Sequence, residues 1–155
     1  MTGLSAAESM ICLGILIPIS YMDYKYRTIT NKLLISLLIV RIIFIAIYFS
    51  VSAGNGVGKL LSSVIVSGIS LTVVFFFRSY LKENTAAGDQ KLLIVCGFCF
   101  DLDRYLLSLL FTILIFFISY VFQIIGNEKR RVPFSPYFSS GVLIATILSY
   151  SVGIP

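Results

Sequence analysis

The sequence predicts an all-α polytopic membrane protein of about six transmembrane helices, with both termini outside. Three observations carry that expectation. The 155 residues are 58% hydrophobic and only 12% charged, with mean hydropathy +0.99, which suits a chain solvated by lipid. The apolar residues gather into separate runs, and about 20 such residues cross a hydrocarbon core. The basic residues concentrate in alternate connections between those runs. Residues 1–155 make one transmembrane domain in this reading.

The first run, residues 3–22, has the length of a secretory signal but lacks its basic start. Its first Lys or Arg is Lys25, and no small-residue cleavage site precedes Asp23, so it is expected to be a retained span. The second covers residues 31–50 and the third 57–77. The fourth, 89–100, reaches only about 18 Å at 1.5 Å per residue, short of the roughly 30 Å core. It begins before Asp89, sits in thinned bilayer, or forms a re-entrant hairpin with the fifth; the sequence leaves these open. The fifth covers residues 105–125 and the sixth 137–153.

The connections after spans one, three and five carry Lys25, Arg27, Lys32, Arg78, Lys82, Lys91, Lys129, Arg130 and Arg131. The opposite side has Lys59 and Arg104, and Arg41 falls inside the second span. By the positive-inside rule the first group is cytoplasmic. The net charge of +5 is then a topology signal, and nothing points to nucleic acid. Lys129–Arg131 are also placed to meet anionic lipid headgroups.

The chain has no histidine. That excludes Ser-His and Cys-His nucleophile pairs and histidine-based metalloprotease motifs within it. Cys96 and Cys99 have the spacing of half a metal site, but no second pair completes four ligands. Cys12, Cys96 and Cys99 read as small buried hydrophobes, and no metal or other cofactor is expected.

Two of the seven acidic residues stand out. Asp23 ends the first apolar run and Asp89 opens the fourth, so the span count puts both at the cytoplasmic face. A carboxylate at the mouth of a membrane helix is costly to desolvate and reads as functional. Two on one face suggest a pair that shares a proton and activates a water, the chemistry of an aspartyl protease.

Three stretches extend the pattern. Asp23-Tyr-Lys-Tyr-Arg-Thr-Ile29-Thr30-Asn31 resembles the Asp, five residues, Ile-Pro-Asn pattern of the type IV prepilin peptidases, with Thr30 in place of proline. Ala86-Ala87-Gly88-Asp89-Gln90-Lys91-Leu92 resembles their Gly-x-Gly-Asp-x-Lys-Leu, with Ala86 in place of the first glycine. Pro133-Phe134-Ser135-Pro136, with Gly141 beyond it, resembles the Pro-Phe-x-Pro segment leading into the last helix. The resemblance implies a six-span aspartyl endopeptidase of the cell inner membrane. Its catalytic residues would be Asp23 and Asp89. Its substrates would be prepilin-like membrane proteins, cut at a short basic leader on the cytoplasmic side. Members that also methylate the new N-terminus carry a longer loop with two Cys-x-x-Cys pairs; this chain lacks it, so peptidase activity alone is expected.

Gly88 allows a bend or a close approach beside Asp89. Lys91 either biases the dyad toward its singly ionised state or snorkels to the interface. Thr30 or Asn31 is expected to cap the second helix. Pro133 and Pro136 break any helix between spans five and six, as a tight re-entry turn or as one wall of a substrate groove. Glu8, 15 residues before Asp23, lies about 22 Å from it along a helix and is expected at the outer interface. Asp101 and Asp103 read as solvated loop charges beside Arg104, and Arg41 as one half of an ion pair. Two rival functions stand beside the peptidase: a small proton- or cation-coupled transporter, and a non-catalytic pilus or secretion assembly factor.

Overall fold

The computed structural model describes residues 2–81, 87–125 and 134–152. They form six helices: α1 Thr2–Tyr26, α2 Asn31–Val51, α3 Ala53–Leu81, α4 Ala87–Cys99, α5 Leu102–Ile125 and α6 Phe134–Val152. Four of these helices contain stretches long and apolar enough to cross a membrane: 3–26, 31–51, 53–75 and 102–119. At about 1.5 Å per residue, the 13-residue α4 extends only about 20 Å, as its short apolar run led one to expect. A helix lies at each of the remaining expected spans and differs from it only at the ends, but α4 and α6 are not among the four long and apolar enough to cross. The third helix begins at Ala53, one residue after α2, and the sixth begins at Phe134.

Large apolar side chains cover the outside of the bundle, and its interior combines an apolar cluster around Leu16, Leu37 and Phe138 with buried hydroxyls. Ile17, Phe117 and Phe122 project outward, while Ser63, Ser70, Ser108, Thr112 and Ser149 are buried between helices. Such a chain is a polytopic membrane protein, because lipid solvates apolar side chains and small hydroxyl residues let backbones approach. The hydroxyls return their protons to carbonyls in the preceding turn, as Thr112 does to Ser108 and Thr146 to Val142. α1 packs against α2 and α6, α4 against α2 and α3, and α5 against α6. All three cysteines lie in the buried cluster between α1, α2 and α4, as expected of small hydrophobes.

The α5–α6 seam shows how close that approach is. A Cβ on Gly141 would lie 2.5 Å from the Ser108 carbonyl oxygen and 2.9 Å from the Thr112 nitrogen, inside any real contact. Only glycine fits there.

The end of the bundle away from Asp23 holds an ionic cluster that overturns two expectations. Glu8 does not face the outer interface. It is 4% exposed and paired with Arg41, which is 1% exposed. Asp101 is not a solvated loop charge. It pairs with Lys59 and, at 3.2 Å, with Arg41. Burial pushes its carboxyl up, but the charges of Lys59 and Arg41 outweigh that and hold it below the usual carboxylate range. A guanidinium inside a span must find counter-charge, and α2 finds it on α1 and on the α4–α5 connection. Ser63 of α3 accepts from Arg41 Nε at 3.0 Å and Nη2 at 2.8 Å. Tyr48 reaches Glu8 at 3.4 Å. Of Glu8, Asp101 and Asp103, Asp103 alone is exposed. Arg104 is buried, donates to Ser9 at 2.9 Å and lies over the Tyr150 ring.

Candidate active site

α1 ends one turn beyond Asp23. The N–H of Arg27 donates to the Asp23 carbonyl at 2.9 Å, and Arg27 itself adopts φ 55°, the left-handed conformation that stops a helix. The chain then runs through Ile29 to Asn31, where α2 begins. Thr30 stands at the N-cap with extended backbone, but its side chain makes no capping hydrogen bond. Asn31 does not cap α2 either; its Oδ1 accepts from Lys91 Nζ at 3.4 Å. The expected caps are therefore replaced by a link between α2 and α4, because the first turn of α4 lies within reach.

Asp89 occupies that first turn, one residue after Gly88. A Cβ on Gly88 would sit 3.2 Å from Cβ of Ile29, so the glycine is a point of close approach between the stretches bearing the two aspartates. Asp23 is buried at 6% exposure and Asp89 is half-buried. The carboxylates are near enough for the charge of Asp23 to act on Asp89.

α6 supplies the third side. Its first turn places the N–H of Ser135 3.0 Å from Asp23 Oδ2. First-turn N–H groups have no partner within their own helix, and the helix dipole favours negative charge there. Phe134 stacks on Phe138, and Pro136 sits in the same turn, where its missing N–H costs no helical bond. Ser20 of α1 lies 3.3 Å from the Ser135 carbonyl oxygen and 2.8 Å from Ser139 Oγ, stitching α1 to α6 just above Asp23.

The structure thus brings together Asp23, Asp89, Gly88, Lys91, Asn31, Phe134 and Pro136 at one end of the bundle. Ala86 and Pro133 lie outside the described residues, as do Lys82 and the basic run Lys129–Arg131. Ser135 was not among the residues singled out from sequence. The signal was available: a helix start in that motif must present free N–H groups toward the dyad.

The arrangement offers two neighbouring carboxyl groups, one held by a backbone donor, at the mouth of an apolar bundle. A model of the type IV leader peptidase family matches residues 10–127, a stretch that contains both aspartates and ends before the Phe134–Pro136 turn. No curated protein and no solved structure matches the chain.

Proposed function

The chain belongs to the type IV leader peptidase family, and from that premise we propose that it is an aspartic endopeptidase acting through Asp23 and Asp89. The observation that carries the reading is the meeting of these two carboxylates at one end of the helices, in a chain of that family. Mutual repulsion leaves one carboxyl protonated and the other ionised. We assign the role of base to Asp23, whose Oδ2 accepts the Ser135 N–H at 3.0 Å, and the role of acid to Asp89. Asp23 then takes a proton from the bound water as it attacks the scissile carbonyl. Asp89 donates to the developing oxyanion and afterwards helps to protonate the leaving amine. After cleavage Asp23 holds the proton taken from water and Asp89 has given its own to the amine, so transfer of one proton from Asp23 to Asp89 restores the pair.

The site lies at the cytoplasmic face of the inner membrane in this reading, with six crossings and both termini outside. The substrate is a prepilin-like protein whose apolar helix packs beside the bundle, presenting its leader junction to the dyad. The basic residues Lys25, Arg27 and Lys32 around the site give a basic leader little electrostatic attraction, so helix packing and an unwound junction carry recognition. N-methylation is absent from the proposed activity.

Co-expression with a prepilin and a gel shift of the cleaved product test the proposal. Asp23→Asn and Asp89→Asn each keep side-chain size and remove acid–base cycling, so each abolishes cleavage while the protein still accumulates. The double variant is no worse than either single, because residues that act as one unit are non-additive. Asp103→Asn, exposed at the far end, retains activity. Substantial cleavage by either dyad variant, in membranes free of another such peptidase, refutes the mechanism.

A further inference from the structure

Ser135 carries more than the backbone N–H already placed on Asp23. Its side chain is 1% exposed, and Ser135 Oγ has no hydrogen-bond partner among the described residues. An unpaired buried hydroxyl costs stability, on the order of 1–3 kcal/mol. The other buried hydroxyls of this bundle avoid that cost by donating to carbonyls in the preceding turn, as Ser108, Thr112, Thr146 and Ser149 do. Ser135 stands in the first turn of α6 and leaves its hydroxyl unspent. That Oγ is three covalent bonds from the nitrogen that contacts Asp23 Oδ2, so it borders the dyad.

We propose that the Ser135 hydroxyl is a further catalytic residue, donating a hydrogen bond to the scissile carbonyl oxygen of the peptide substrate as that oxygen becomes an oxyanion. This deepens the peptidase reading and rests on it. Two features fit the role. The hydroxyl has a donor left unpaired until a substrate oxygen arrives, which is how a preorganised donor adds stabilisation without reorganisation. It also sits at the start of a 19-residue helix, whose dipole favours negative charge at that end. No covalent bond forms to Ser135. The attacking water gives its proton to Asp23, the carbonyl π electrons move to oxygen, and Ser135 and protonated Asp89 share the resulting charge.

The test compares wild type, Ser135→Ala, Ser135→Thr, Asp23→Asn and Asp89→Asn, purified in detergent with a prepilin as substrate. Ser135→Ala is expected to lower kcat by roughly 10²–10³-fold with KM little changed, the usual effect of losing one oxyanion donor. Ser135→Thr, which keeps the hydroxyl, is expected to recover a large part of that loss. Removal of an unpartnered hydroxyl also predicts a melting temperature for Ser135→Ala at or above that of wild type. Wild-type kcat in Ser135→Ala, while both aspartate variants are inactive, overturns the Ser135 role and leaves the dyad standing. A lowered melting temperature overturns it too, because it assigns the hydroxyl a structural bond. Cleavage retained by the aspartate variants is the separate failure of the peptidase mechanism.

Discussion

Replacing Arg41 by leucine probes whether its cluster is a structural device or part of the chemistry. The guanidinium is 1% exposed and holds Glu8, Asp101 and Ser63 at once. Arg41→Leu strands Glu8, a carboxylate only 4% exposed, with Tyr48 at 3.4 Å as its remaining partner among the described residues. Asp101 keeps Lys59 and is spared most of the penalty. Breaking a buried pair from one side costs about 3–5 kcal/mol, because the other charge stays buried without compensation. For a chain of this size that corresponds to a melting shift on the order of 10 °C. The double variant Glu8→Leu/Arg41→Leu removes both charges and fills the space with apolar volume, so it recovers most of the loss. Thermal unfolding of the four proteins of this cycle in one detergent, alongside prepilin cleavage, gives the coupling directly. If Arg41→Leu melts like wild type, or if the double variant loses the sum of the singles, the cluster does not hold the bundle in the way described. Full stability combined with lost cleavage assigns Arg41 to catalysis instead.

Orientation is tested by single cysteines introduced at Lys82, Arg130 and Asp103. The first two are expected to react from the cytoplasmic side and the third from outside. Asp103 serves better than Lys59 because it is exposed, whereas Lys59 is engaged with Asp101; labelling of Lys82→Cys and Asp103→Cys from one side sinks the six-span topology. Gly141→Ala is expected to force α5 and α6 apart and cost about 1–3 kcal/mol, seen as a lower melting temperature together with reduced cleavage. A variant as stable as wild type contradicts the packing of that seam.

The sequence was most legible where one residue type had one reason to be present. Two carboxylates in an apolar chain, together with the parity of the spans and the basic connections, placed Asp23 and Asp89 at the same end. Gly88 was readable as a close approach, but its partner Ile29 was not, since that contact exists only once the α1–α2 connection folds over α4. Glu8 and Asp101 were misread for a related reason. Distance along a helix separates Glu8 from Asp23 but says nothing about which neighbouring helix it faces. Arg41 gave the missing clue, because a guanidinium inside a span requires an acid from that end of the bundle. The Thr30 and Asn31 caps failed because tertiary contact took Asn31 for Lys91. Ser135 escaped notice as the variable position of its motif, although its place in a helix start made its N–H a free donor.

The two ends of the bundle solve opposite electrostatic problems, and the solutions are connected. At the Asp23 end, two carboxyl groups are brought together, which makes ionising both of them costly. At the other end, unlike charges from α1, α2, α3 and the α4–α5 connection are gathered into one cluster, with Glu8 and Arg41 buried and Lys59 and Asp101 partly so. Glu8 and Asp23 lie on the same helix, and Asp101 follows directly on the helix that opens with Asp89. The cluster therefore grips, through Arg41, the far ends of the two elements that carry the dyad. Neither α1 nor α4 can slide along its axis to separate Asp23 from Asp89 without pulling Glu8 or Asp101 away from Arg41. A repulsive pair held by flexible elements would drift apart. Anchored at the far end, with Ile29 against Gly88 and Ser135 on Asp23 at the near end, it stays together.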